Sequence, residues 1–162
     1  MHRLLFTLLF CFALSPFSYA EPLHHTSLKD QWDKEHTLTP ETQWIVYSHH
    51  RAGGEWVRNV LTKLDLAPLK QHKLIYVADI SAMPGIISRM FALPKMQDYV
   101  FRVALVENAE HVEGWPKKEN QITVMQLQSF NVKQVHYFDD EIDLEHFISE
   151  HMLQTQRPAS EN

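Results

Sequence analysis

Two short, β-rich apolar runs, at 44–47 and 74–80, bracket a single amphipathic helical pattern. That alternation limits the folds open to this chain more than any other feature. Trp44-Ile45-Val46-Tyr47 shows no polar alternation, so the strand it forms is predicted to be covered on both faces. After Gly53-Gly54, the residues Trp56, Val57, Val60, Leu61 and Leu64 recur at helical spacings and make one apolar stripe, with Pro68 beyond its end. The second run then returns to the sheet. A strand, a helix and a strand joined in this way pair in parallel, with the helix packed across them.

The rest of the chain extends the same pattern. Met83-Pro84 opens a second helix, with proline in a tolerated first-turn position. Ile86, Ile87, Met90 and Phe91 form its apolar face, expected to be buried, and Pro94 ends or kinks it. A third strand is predicted over 101–106, where Arg102 within an apolar run calls for an edge or a paired carboxylate. Residues 121–128 alternate, with Ile122 and Val124 on one face and Thr123, Met125 and Leu127 on the other. A further β-rich run at 132–138 follows the Ser129-Phe130-Asn131 turn, so the two pair as an antiparallel hairpin. The last helix is capped by Asp139 or Asp140 and buries Leu144, Phe147, Ile148 and Met152. Trp32, Trp44, Trp56 and Trp115 are expected in the core or at its rim. Residues 21–43 are polar and turn-rich, with a small N-terminal hairpin around Leu28 and Leu38, and the tail from 154 is expected to be disordered.

The N-terminus reads as a cleavable export signal over 1–20. His2 and Arg3 form a short basic start, residues 4–17 are almost wholly apolar, and Ser18-Tyr19-Ala20 places small residues at a cleavage site before Glu21. An uncleaved anchor would need roughly 20 apolar residues, more than this stretch supplies. Acylation at Cys11 would need a small residue before it, where Phe10 stands. Cleavage after Ala20 removes Cys11, the single cysteine of the chain. The mature protein, periplasmic or secreted, then has neither a thiolate nor a disulfide. Its length of about 140 residues suits one domain over 21–153, enough to bury about two-thirds of its unfolded surface. The formal net charge of −5 is spread among interspersed signs, which leaves no basic stripe for nucleic acid and no polybasic membrane patch. No stable membrane insertion is expected once the leader is gone.

The predicted order is strand, helix, strand, helix, strand, strand, strand, helix, with Leu28-Lys29-Asp30-Gln31 and His36-Thr37-Leu38 ahead of the first central strand. Over roughly 23–152 this resembles the thioredoxin-like superfamily, and more closely its peroxiredoxin and thiol–disulfide-reductase-like secreted members. The resemblance implies an α/β fold: a mixed sheet with a parallel core, an antiparallel edge hairpin and helices on both faces. It also implies a site where the first central strand gives way to its helix, the place of the family's redox cysteines. Here that junction reads Ser48-His49-His50-Arg51-Ala52-Gly53-Gly54-Glu55-Trp56, without a thiol. The family's cis-proline, expected immediately before the third central strand and facing the cysteines, is replaced by Val100. Thiol–disulfide exchange and thiol-dependent peroxidase chemistry both need a sulfur nucleophile, and the mature chain has none.

The junction remains the main candidate site. The carboxyl ends of strands in an open α/β sheet are where ligands gather. A helix start there presents unpaired N–H groups to an anion, Gly53 and Gly54 permit close approach, and Arg51 adds a cation. The same residues also satisfy a plain glycine-dependent turn with a solvated polar rim. Asp79 and Ser81 end the second strand and complete the candidate ligand-binding set of His49, His50, Arg51, Gly53, Gly54, Asp79 and Ser81, with 97–99 adjacent. Asp79 or Ser81 equally suits the role of a cap on the helix that follows.

The expected role is therefore a non-redox protein that binds a partner protein or a small anionic ligand. The alternative is an oxidoreductase or hydrolase using His49 or His50, with a bound cofactor or metal. A Ser–His–Asp hydrolase would lack the G-x-S-x-G elbow at Ser48 and Ser81. No metal site is assigned, because a structural zinc needs about four ligands, commonly with cysteine among them. No cofactor is assigned either, since four glycines cannot be arranged as G-x-G-x-x-G.

Overall fold

The computed structural model describes residue 23 and residues 27–153. The predicted leader and the predicted tail at 154–162 lie outside the described residues. The chain as a whole is not cysteine-free, since it carries Cys11, but no cysteine falls among the described residues.

The first apolar run forms β1 (Trp44–Ser48), buried along its whole length. The second forms β2 (Leu74–Asp79), and the two pair in parallel with Val46 opposite Tyr76 and Ser48 opposite Ala78. Shorter than predicted, β3 (Ala104–Val106) continues the parallel side beyond β2. On the other side of β1 lie β4 (Ile122–Gln128) and β5 (Asn131–Phe138), both antiparallel to their neighbours. The resulting order is β3-β2-β1-β4-β5, a parallel core with an antiparallel edge hairpin. Ser129 and Phe130 turn that hairpin with positive φ of 45° and 70°, the twist that a two-residue loop needs, here without glycine.

The apolar stripe predicted after the glycines lies on α1 (Arg51–Lys63), whose Val57, Val60 and Leu61 are buried against the sheet. Burial of side chains of this size contributes about 1.5–3 kcal/mol each. The second predicted helix is broken into α2 (Gly85–Ile87), a π-turn over Ser88–Ala92 and α3 (Leu93–Gln97). Pro94 explains the break. It has no N–H to donate to Met90, four residues back, and its ring excludes that carbonyl, so the preceding turn widens. The last helix, α4 (Glu141–Met152), packs beside α1 through Leu144, Ile148 and Met152. Its cap is Asp140, whose carboxylate accepts from the backbone N–H groups of Ile142 and Asp143. Leu28, Leu38, Trp115 and Val112, the last on the 3-10 turn Ala109–Val112, cover the opposite face of the sheet.

Two expectations about burial need correction. Trp44 and Trp115 are buried and Trp56 is half-buried, but Trp32 is exposed on the surface. More consequentially, Ile86, Ile87, Met90 and Phe91 do not face the core, and Ile86 is 72% and Phe91 63% exposed. Leu93 and Met96, beyond the π-turn, make the core contacts instead.

The predicted N-terminal hairpin is a tight turn, with one bridge between Lys29 and Glu35 and another joining Lys29 to Leu105 of β3. The short β3 has a definite cause. The side-chain amide of Gln31 accepts from the Val103 N–H at 2.9 Å and donates to the Phe101 carbonyl at 2.9 Å. It thus takes the bonds a neighbouring strand would make. Buried Asp30 supports the same arm: its carboxylate accepts from the N–H groups of Trp32 and Lys34 and pairs with Arg102 Nε at 2.7 Å. This answers the demand of Arg102 for a carboxylate. Burial opposes the charge on Asp30, yet the N–H groups of Lys34 and Trp32, with Arg102, hold its pKa below the ordinary carboxylate value.

His36 lies in the same arm, where burial and then the Arg102 charge push its pKa down to about 4. It is therefore neutral in the folded protein between about 4 and 6.5, where the unfolded chain binds a proton. Stability from this group is complete above pH 6.5 and is lost as pH falls toward 4. Chemical denaturation at pH 7.5, 5.5 and 4.5 should show a decline below the about 1.4 kcal/mol per pH unit of one whole proton. His36→Gln should flatten that limb, and an unchanged slope would remove His36 as its source.

Candidate functional site

The β1–α1 junction opens on a cleft of about 650 Å³ between α1 and the helical segment 85–97. Of the predicted residues, His49, His50, Arg51, Gly54 and Asp79 line it, as does Tyr99 from the adjacent stretch. Gly53 and Ser81 do not. Gly53 is buried behind His50, and a β-carbon there would overlap both the His50 ring and Ile122 Cδ1. Its absent side chain is what lets the imidazole lie against the start of α1.

The two histidines diverge. The side chain of His49 lies toward Tyr47, 5.7 Å between ring centroids, and its Nε2 is 2.9 Å from the Lys118 carbonyl. His50 sits edge-on to Trp56 at 5.8 Å, and neither of its buried ring nitrogens has a protein partner. Burial, then the neighbouring His49, lowers the His50 pKa, so its imidazole is neutral at pH 7. A neutral ring carries one donor and one acceptor. Among the described residues, no three His, Cys, Asp or Glu side chains are grouped to hold a metal.

Asp79 and Ser81 serve the loop after β2. The Asp79 carboxylate accepts from Tyr47 Oη at 2.8 Å, from Ser81 Oγ at 2.6 Å and from the Ser81 N–H at 3.0 Å. Ser81 is thus committed to Asp79 and does not contact a histidine. Ser48 is bonded to Tyr76 Oη at 2.9 Å, so neither serine forms the Ser–His pair a hydrolase of that class requires. Arg51 is almost fully exposed, with only a 3.8 Å contact to Glu55, which is itself held by Lys95 at 3.3 Å.

The floor and wall of the cleft were not legible as such in the sequence. Ser48 and Tyr76 form the floor, and both are buried. They are diagonal neighbours on one face of the β1–β2 pair, a relation fixed by register and invisible in either strand alone. Ile87 and Phe91 belong to the wall, together with Met83 and Met96. Their periodicity identified a helix face but not what it faces. The segment opposite the junction also differs from expectation: it is the stretch leading into β4, where Lys118 meets His49 and Ile122 meets Gly53, and not Val100, which is exposed. Residues 117–121 contain no proline, and the cis peptide bond among the described residues is Ala67–Pro68, remote in sequence from this segment.

The fold is thioredoxin-like, as comparison with solved structures shows. The thioredoxin domain of a thiol-disulfide oxidoreductase from Bacteroides vulgatus superposes with a TM-score of 0.53 at 10% identity, over 83% of this chain and 98% of that one. Peroxidoxin BcpB from Mycobacterium tuberculosis gives 0.53 at 12% identity, covering 86% and 98%. A hypothetical protein from Sinorhizobium meliloti gives 0.56 at 15% identity, covering 91% of each chain. At these identities the likeness is one of fold. No family model matches the sequence, and no curated protein does.

Gly53→Ala tests the local geometry. A methyl group here must displace His50 or Ile122, and overpacking of this kind costs about 1–3 kcal/mol, more than the helix preference for alanine returns. A lowered Tm with altered Trp56 fluorescence is expected. An unchanged or raised Tm would mean that His50 is not held against Gly53.

Proposed function

We propose that this chain is an exported, non-redox protein of thioredoxin-like fold that binds a small anionic ligand, or an anionic group of a partner, in the cleft at the end of β1. The observation that carries this reading is the cleft itself. It opens at the junction where the resemblance places redox thiols, it has apolar walls and a polar floor, and no thiol lines it. A volume of about 650 Å³ falls within the range of small-molecule sites. The first turn of α1 has no side-chain cap and leaves its N–H groups at the junction, and Arg51 adds an exposed cation at the rim.

Export rests on the signal-like pattern at 1–20, and cleavage after Ala20 carries Cys11 away with the leader. The described residues contain no helix long and apolar enough to cross a membrane. The destination is the periplasm or the exterior, and the mature protein acts without sulfur chemistry.

Expression of the full chain in an exporting host should yield a product whose intact mass begins at Glu21. That product should be colourless, metal-free by elemental analysis, and no faster than background in insulin reduction and peroxide consumption. A stoichiometric flavin or metal, or turnover in either assay, would overturn the non-redox binding role. Arg51→Ala should weaken the biological phenotype while leaving Tm within about 1 °C, as expected of an exposed side chain away from the core. An unaltered phenotype would return the junction to a plain glycine-dependent turn.

A further inference from the structure

We propose that the ligand of this cleft is an amphipathic carboxylate: an ionised carboxyl head group seated on Ser48 and Tyr76 beside the first turn of α1, with an apolar body lying along Ile87 and Phe91. The inference rests on the ligand-binding reading above and names the chemical class that the site selects.

The head-group argument is a count of hydroxyl protons. Ser48 and Tyr76 are 3% and 1% exposed and share one hydrogen bond, in which either can be the donor. That bond uses one of their two protons. Whichever hydroxyl accepts still has its own O–H to donate, and among the described residues neither makes a further hydrogen bond. A buried donor left without a partner is destabilising, so the floor favours a ligand that accepts. The first turn of α1 has no side-chain cap, which leaves its N–H groups to favour negative charge. Two oxygens with about four acceptor sites match this set of donors better than a single hydroxyl or ester carbonyl.

The two carboxylates that also line the cleft do not fill this role. Glu55 is paired with Lys95 and Arg51, and Asp79 is occupied by Tyr47 and Ser81. Gly54 keeps the approach to the floor open, since even a β-carbon there would lie 3.6 Å from Tyr76 Oη and 3.9 Å from Ser48 Oγ.

The body of the ligand is argued from the wall. Phe91 and Ile87 are 63% and 44% exposed, although the helical pattern that carries them suits burial. Both line the cleft beside Met83 and Met96. An apolar chain covering them removes that surface from water and recovers the stabilisation that the fold leaves unused.

Calorimetric titration of the mature protein with decanoate, methyl decanoate, decanol and acetate tests the assignment. Decanoate should bind best, methyl decanoate and decanol about tenfold more weakly for want of the charged head, and acetate at least about 100-fold more weakly for want of the body. The double variant Ser48→Ala/Tyr76→Phe, which removes both floor hydroxyls, should weaken decanoate about tenfold, whereas Phe91→Ser should weaken decanoate and decanol alike. Should the double variant fail to fold, Arg51→Ala supplies the charge contrast at an exposed position, weakening decanoate and sparing decanol. Equal affinity for decanoate and methyl decanoate would overturn the carboxylate assignment while leaving a binding cleft. Equal affinity for acetate and decanoate would overturn the apolar body. No binding of any of these, nor of an apolar fluorescent probe, would sink the binding cleft and the carboxylate together.

Discussion

The pairing of β1 with β2 on one side and β4 on the other is the constraint from which the rest of the molecule follows. A strand buried on both faces has nowhere to place a polar side chain until it ends, so the first polar residues, Ser48, His49 and His50, emerge together at its carboxyl end. Parallel β2 brings Tyr76 beside Ser48. Antiparallel β4 brings its own beginning to the same end of the sheet, which sets Ile122 against Gly53 and the Lys118 carbonyl against His49. Chemistry and topology meet at that end of β1, where the buried strand gives way to polar residues.

Most of the architecture was legible in the sequence because it is written in periodicity. β1, β2, the 121–138 hairpin, α1 and the closing helix each carry enough apolar pattern to fix both type and inward face. What escaped depends on partners distant in sequence. A glutamine that pairs with a strand edge, as Gln31 does with Phe101 and Val103, leaves no pattern of its own. Nor does a hydroxyl pair created by register. The stripe of Ile86, Ile87, Met90 and Phe91 carries a helical period, yet the helix is broken by a π-turn and all four residues lie outside the core, since periodicity gives direction and not destination. Of the candidate residues, Ser81 fell short because its nearest acceptor is the Asp79 carboxylate two residues before it.

The N-terminal arm contributes to the site indirectly. Gln31 accepts from Val103 and donates to the Met96 carbonyl at 3.2 Å as well as to Phe101, while Gln97 returns a bond to the Gln31 carbonyl at 2.8 Å. Those bonds fix the end of α3 against the arm and therefore hold one end of the helical wall. Asp30 and Arg102 secure the arm in turn. The polar network on the β3 side thus ties that end of the wall to the N-terminal arm.

The π-turn at Ser88–Ala92 has a consequence for how this segment can vary. A π-turn is one residue more than an α-helical turn, and each residue advances a helix by about 100°. Residues before and after it are therefore out of phase: Leu93 and Met96 pack against the core while Ile86 is exposed. A single deletion within the turn would restore phase and carry the outward stripe about a quarter-turn round the axis. The spacing of this segment, more than the identity of its apolar residues, decides whether the domain presents a walled cleft or an ordinary packed helix.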